Sequence, residues 1–226
     1  MMSTKKPATN HYEYCAVCFD VDGVLTKIDS IWRFLHKRFG TLQEAQINAS
    51  LFKKGLISYE KWAVLDATLW RGKTKSVIRT FLKEIPLREY AIDILKYLKR
   101  RNIKLIAISA GLDIVIREIE RRSKVKFDSV YTNKLVFKEG VLTGDVVVHV
   151  EYYNKDRALL SACKELGINP REVVSIGDSE VDVPMFRVSG LAVAFNPKSR
   201  DVLSAADLVM YSETLKPLLD LFSLLF

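Results

Sequence analysis

The sequence predicts an α/β protein built on a parallel sheet flanked by helices. Three observations carry that expectation. Short apolar runs, Ala16-Val17-Cys18-Phe19, Leu105-Ile106-Ala107-Ile108 and Val173-Val174-Ser175-Ile176, read as strands buried on both faces. Amphipathic helical stretches separate them, and strand–helix alternation is how parallel sheets are wound. Each run also stops at a polar residue: Asp20, Ser109 and Gly177-Asp178. In parallel sheets, ligands bind beyond the carboxyl ends of the strands, so these residues are expected to converge.

The first strand leads into Asp20-Val21-Asp22-Gly23, where Gly23 releases the backbone from the strand direction. Residues 27–86 then carry helical patterns and no strand signal. Asp29 or Ser30 caps a helix ending at Gly40, Thr41 a second closed by Gly55, Ser58 a third ended by Gly72, and Thr74 a fourth closed by Pro86. Each has one apolar stripe, so the four form an inserted bundle. Residues 87–101 read as an amphipathic helix, Asp113–Arg122 as another, and Val130-Tyr131 as a short strand. Residues 135–148 alternate around Glu139-Gly140 as a β-hairpin. Asp156–Leu166 is helical, and Leu191–Ala194 and Leu208–Met210 finish the sheet. The expected organisation is a flexible lead-in over 1–13, a catalytic core of 14–26 plus 87–226, and the helical insertion of 27–86.

A chain of 226 residues, 49% hydrophobic and 27% charged, is expected to pack as a globular protein rather than stay disordered. No run approaches a membrane span, and the first residues lack the apolar core of a signal peptide, so a cytoplasmic location and no membrane partner are expected. The apolar C-terminus, LKPLLDLFSLLF, reads as a helix docked on the sheet. The net charge of +8 admits a nucleic-acid partner, but the basic residues are dispersed in pairs and triplets at helix ends, which favours solvated faces over a binding stripe. Cys15 and Cys18 form a C-x-x-C, yet their odd spacing in a strand points them to opposite faces, and no second Cys or His pair sits at zinc-ligand spacing. They and Cys163 are expected to be buried small apolar residues.

Taken singly, the polar residues have ordinary readings. Asp20, Asp178 or Asp182 could cap a turn or helix, Ser109 could cap the helix after it, and Lys155 could be a surface lysine. Together they describe an anion site. Ser109-Ala110-Gly111 is expected to open a helix whose free N–H groups favour phosphate. Asp20, Asp22, Asp178 and Asp182 crowd carboxylates around that phosphate, against one ammonium from Lys155. A hard divalent cation with oxygen ligands, most simply Mg²⁺, would balance the charge.

The four spaced motifs FDVDGVLT, AISAG, NKDRALL and IGDSEVD resemble those of the haloacid dehalogenase (HAD) superfamily of phosphoryl-transfer enzymes. Within it the chain looks like the phosphoserine-phosphatase-like branch, from about Cys15 onward. The resemblance implies a Rossmann-like core, a helical cap at the insertion, and a flap at the hairpin. It implies that Asp20 is the nucleophile and Asp22 the general acid and base. It has Ser109 and Lys155 bind phosphate, with Ala110, Gly111 and Asp29 also at the substrate, and Asp182 orient Lys155 or a metal-bound water. Mg²⁺ would be held by Asp20, the carbonyl of Asp22, and Asp178.

The chain departs from the branch in places. Asp29 stands where a glutamate is usual, and an ungapped alignment through GLISYEKW puts Asp66 where an arginine grips the substrate carboxylate. Ser179 and Val181 replace the glycine and asparagine of the fourth motif. The expected activity is therefore Mg²⁺-dependent hydrolysis of a small phosphorylated metabolite, with phosphoserine a poor substrate. The alternatives are phosphoglycolate or sugar phosphates, a phosphotransferase, or a basic nucleic-acid-binding protein on a retained fold. The last needs a lost catalytic residue, and none is lost. The sequence fixes no oligomeric state and leaves a homodimer open.

Overall fold

A computed structural model describes residues 13–226, so the expected lead-in lies almost wholly outside the described residues. Seven strands form one sheet in the order β4-β3-β2-β1-β5-β6-β7. They are β1 Ala16–Phe19, β2 Lys104–Leu112, β3 Ser129–Lys138, β4 Val141–Val147, β5 Val173–Gly177, β6 Leu191–Phe195 and β7 Leu208–Met210. All pair in parallel except β4, which runs antiparallel to β3. Side chains alternate between two packed layers. Val17, Phe19, Leu105 and Ile176 face one core, which includes α5 (Ala91–Arg100), α6 (Asp113–Ser123) and α10 (Lys216–Leu225). Ala16, Cys18, Ile106 and Val173 face the other, with α7 (Lys155–Leu166), α8 (Val183–Val188) and α9 (Arg200–Ala205). Phe222 of the C-terminal helix meets Phe19 edge-on at 6.2 Å, so this helix docks on the sheet as the sequence predicts. Among the described residues no helix is long and apolar enough to cross a membrane.

Four helices are inserted between β1 and α5: α1 Ile31–Phe39, α2 Leu42–Lys53, α3 Tyr59–Thr68 and α4 Lys75–Lys83. Ser30, Ser58 and Thr74 accept hydrogen bonds from the backbone N–H groups of Arg33, Lys61 and Val77, so three of the expected caps are in place. Thr41 does not cap α2. Its hydroxyl is taken by His36 Nδ1 at 2.8 Å and Trp70 Nε1 at 3.2 Å. The third helix stops at Thr68 rather than at Gly72, because Trp70 turns inward and stacks on Trp32 at 5.6 Å. Residues 87–90 are not helical either. Leu87 bridges Thr26, and Lys27 N–H donates to Pro86, so the chain enters and leaves the insertion side by side.

Two strands run further than the apolar runs foretell. The first, β2, continues through Ser109 to Leu112. Opposite it, Thr132 and Asn133 of β3 face Ser109 and Leu112, so Ala110 and Gly111 bulge out of the ladder. The helix that Ser109 was expected to open begins only at Asp113. The second, β3, is one continuous strand. Its first half pairs with β2 in the core and its second half forms the hairpin with β4. The hairpin turn places Glu139 and Gly140 at φ 50° and 78°, as a two-residue turn of this twist requires. The hairpin is fastened to the insertion by Gly72 N–H to Leu142 O at 3.0 Å and Lys75 N–H to Gly140 O at 2.8 Å.

Asn133 lies where β3 leaves the core sheet and is fully buried. Its Nδ2 donates to the carbonyls of Ala110 and Val150, each at 3.0 Å, and to Tyr59 Oη at 3.2 Å. Its Oδ1 accepts from the His149 and Val150 amides at 2.9 and 3.0 Å. Asn133→Ala strands those two amides, at about 1–3 kcal/mol each. The expected outcome is a melting midpoint lower by at least about 4 °C in calorimetry. An unchanged midpoint would show that water replaces the side chain without cost.

Candidate active site

The register aligns the ends of three strands: Phe19 pairs with both Ala107 and Ile176. The residues just beyond them, Asp20, Ser109 and Asp178, are thereby brought to one edge of the sheet. Asp20 is buried, and its Oδ1 accepts from Lys155 Nζ at 2.7 Å. Lys155 is the first residue of α7 and is 1% exposed. Its ammonium also meets Asp182 Oδ1 at 2.6 Å. Burial alone would lower the Lys155 pKa, but Asp182 and Asp20 outweigh it and keep the ammonium charged. Asp182 Oδ2 in turn accepts from the Asp178 and Ser179 amides at 2.9 and 3.0 Å and from Ser179 Oγ at 3.3 Å.

After Asp20 the backbone makes a tight turn closed by Thr26 N–H to Val21 O at 3.0 Å. Arg88 braces it by donating to the carbonyls of Gly23 and Val24 at 2.8 and 3.2 Å. The turn places Asp22 beneath the start of α1, where Oδ2 accepts from Ile31 N–H at 2.8 Å. Asp22 Oδ1 is buried without a partner among the described residues. Burial pushes its carboxyl up to about 6, against the pull of the Ile31 amide. Gly23 has φ 87°, and a Cβ there would lie 1.9 Å from Asp178 Oδ2. Gly111 has no room either: its Cβ would come within 3.0 Å of Asp22 Oδ2 and Ser109 Oγ. Gly111 N–H donates to Ser109 Oγ at 3.0 Å and so turns that hydroxyl's proton outward.

Asp29 lines the same cavity as Asp20, is exposed, and reaches Lys198 Nζ at 3.4 Å. Lys198 also binds Asp178 Oδ2 at 2.8 Å, and sequence reasoning missed it. Its one sequence signal is its place after β6, beyond the carboxyl end of a further strand. Asp66 is buried between Asn48 Nδ2 at 2.8 Å and His36 Nε2 at 3.3 Å. The thiols are all free; Cys18 and Cys163 are buried as expected, whereas Cys15 is half-buried against Glu172.

The donor set fits a hard cation. Oxygens of Asp20, Asp178 and Asp182 lie within 4.8 Å of one another. Burial, then Asp182, raises the carboxyl of Asp178 to about 6, and burial raises Asp20 well above the carboxylate range, so the cluster lacks positive charge. Asp182 has both oxygens engaged by Lys155 and by amides, which leaves Asp20 and Asp178 as the better side-chain ligands. The Asp22 carboxylate is not in the cluster; the reading from the sequence uses that residue's carbonyl instead.

Residues 17–187 match the haloacid dehalogenase-like hydrolase family. The phosphoserine phosphatase of Methanocaldococcus jannaschii is 29% identical over 183 residues, covering 80% of this chain and 85% of the relative. That of Halobacterium salinarum is 29% identical over 182 residues, covering 80% and 86%. Among solved structures, a phospho-aspartyl intermediate analogue of phosphoserine phosphatase superposes with a TM-score of 0.76 at 26% identity, over 92% of this chain and 99% of the other. A substrate-bound phosphoserine phosphatase complex does so with 0.76 at 26% identity, over 92% and 98%.

Gly23→Ala tests the turn that seats the two aspartates. The displaced Asp178 carboxylate should cut p-nitrophenyl phosphate turnover by about 100-fold or more. Wild-type turnover in a folded variant would mean that the turn tolerates a side chain.

Proposed function

From the premise that the chain belongs to the haloacid dehalogenase-like hydrolases and is a phosphatase, we propose that it hydrolyses a small phosphomonoester through an aspartyl-phosphate on Asp20. The observation that carries this reading is the pairing of unlike carboxylates. Asp20 has one oxygen fixed by Lys155, and Asp22, two residues on, keeps a buried oxygen with no partner among the described residues and a carboxyl pushed up to about 6. In this reading one attacks and the other carries a proton.

In the first half-reaction Asp20 attacks phosphorus in line, the ester P–O bond breaks, and protonated Asp22 gives its proton to the leaving alkoxide. In the second, ionised Asp22 takes a proton from water, whose oxygen attacks the same phosphorus. The P–O bond to Asp20 breaks, and inorganic phosphate leaves. Ser109 donates its hydroxyl proton to a phosphate oxygen, and Lys155 neutralises charge that develops in the transition state. Asp182 holds Lys155 in place, with its remaining oxygen tied to amides. A divalent cation, Mg²⁺ in this reading, would be held by Asp20, the Asp22 carbonyl and Asp178, and supplies the positive charge that lets phosphate approach the carboxylates.

The names of the relatives make phosphoserine the first substrate to assay. Asp66 speaks against it, because a carboxylate held by Asn48, with His36 beside it, cannot clamp the carboxylate of a substrate.

Two measurements test the chemistry. Asp20→Asn should stay folded and lose p-nitrophenyl phosphate turnover; retention of more than about one-hundredth of wild-type activity removes Asp20 as nucleophile. Chelation by EDTA should silence the enzyme, and Mg²⁺ should restore activity and raise the melting temperature, since an ion bound only by the native state stabilises it. Full turnover in excess chelator contradicts the cation.

A further inference from the structure

We propose that the alcohol part of the substrate is bulky, carries a ring with hydrogen-bond donors, and bears no carboxylate. This rests on the phosphatase reading and names its substrate class. A cavity of about 990 Å³ rises from Asp20, Asp22, Ser109 and Lys155 between α1, α2 and α3. That is the upper end of the range of about 300–1,000 Å³ for small-molecule sites, and a three-carbon amino acid would leave most of it unfilled.

The walls of the cavity are aromatic: Trp32, Phe52, Tyr59, Trp62, Tyr152 and Tyr153. Phe52 stacks on Trp62 at 4.8 Å, Tyr59 stands edge-on to both, and Tyr152 lies 6.0 Å from Phe52. These side chains come from α2, α3 and the loop before α7, so the wall spans the insertion and the core. Only Tyr59 is buried; Trp32, Phe52, Trp62 and Tyr152 are half-buried, which leaves ring surface open to the cavity. Open aromatic faces are a platform for another ring. Trp62 Nε1 is buried with no acceptor among the described residues, so the wall also holds an uncommitted donor.

The charges point the same way. Trp70 Nε1 can only donate, so Thr41 Oγ1 accepts from it, and the same hydroxyl lies 2.8 Å from His36 Nδ1. His36 Nε2 lies 3.3 Å from one Asp66 oxygen, and Asn48 Nδ2 donates to the other. Asp66 is thus a fixed acceptor in the cavity wall, with lone pairs left for hydroxyl or amine donors. Among the described residues neither Arg33 nor Lys53, the other cations of the wall, pairs with Asp66. Lys155 is committed to two carboxylates, and Arg33 and Lys53 line the cavity only as exposed residues. A substrate carboxylate in the upper cavity would be repelled by the buried Asp66, with only the exposed Arg33 and Lys53 to offset it.

The test compares kcat/KM for phosphoserine, phosphoglycolate, glycerol 3-phosphate, a hexose 6-phosphate and nucleoside 5′-monophosphates, with p-nitrophenyl phosphate as a general activity control. At least one ring-bearing substrate should exceed both carboxylate-bearing ones by about tenfold or more. The sugar and nucleoside arms tell a saturated ring from an aromatic one. Phe52→Leu, which keeps apolar volume and removes the ring face, should lower kcat/KM for the preferred ring substrate at least about tenfold more than for glycerol 3-phosphate. Phosphoserine or phosphoglycolate equal to or above every ring substrate overturns the proposal and leaves the phosphatase reading standing, as does an equal effect of Phe52→Leu on both substrates. Failure to turn over p-nitrophenyl phosphate strikes the phosphatase reading itself.

Discussion

The Lys155 ammonium sits between Asp20 and Asp182 at 2.7 and 2.6 Å in the buried edge of the sheet. An isolated buried ammonium would shed its proton, and a buried carboxylate would take one up. Here each group makes the other tolerable, and removing one partner of such a pair costs about 3–5 kcal/mol. The geometry around the pair follows from it. Asp182 must hold Lys155 with one oxygen, so its other oxygen is free to tie down the Asp178 and Ser179 amides. Asp20 must offer one oxygen to Lys155, so only the other is available for chemistry. Asp22 and Asp178 lie outside this arrangement, and Lys198 is the ammonium that reaches Asp178. Four carboxylates against two ammonium groups leave the pocket short of positive charge before any phosphate enters.

The carbonyl of Ala110 performs a second, neutral kind of coordination. The bulge in β2 frees it from the ladder, and Trp32 Nε1, Tyr59 Oη and Asn133 Nδ2 all donate to it at 3.0–3.1 Å. Those donors come from α1, α3 and β3. One backbone oxygen beside Ser109, which would bind phosphate in the proposed reaction, thus gathers two helices of the insertion and one strand of the core. The side of the site that would read the substrate and the side that would bind phosphate share a single anchor.

What could be read in the sequence was local. Apolar runs that stop at Asp20, Ser109 and Asp178 marked the strands and their common carboxyl end, because strands buried on both faces read as near-continuous apolar runs. Ser30, Ser58 and Thr74 announced their helices through bonds spanning three residues. The rest depends on partners far along the chain. Thr41 looks like a cap until Trp70, 29 residues on, takes its hydroxyl. The strand character of Ser109–Leu112 comes from pairing with β3, and nothing in Ala110-Gly111 encodes it. Asn133 and Lys198 sit in unremarkable polar stretches, and only the folded sheet brings one to Ala110 and the other to Asp178. His36 and Asp66 are polar residues on helices, 30 residues apart, and meet only once the bundle forms.

The continuity of β3 has a consequence for how the chain must fold. A strand alternates its side chains with a period of two, so a pairing error of one residue turns every side chain to the opposite face. In β3 such a slip would do more than misplace Leu135 in the hairpin. It would rotate Asn133 away from Ala110, His149 and Val150 together, and so unseat the bulge and the approach to Lys155 in one step. The parallel half of β3 pairs with residues distant in sequence, whereas the hairpin half closes locally around Glu139-Gly140. A short turn remote from the chemistry therefore helps to set the register on which the chemistry depends.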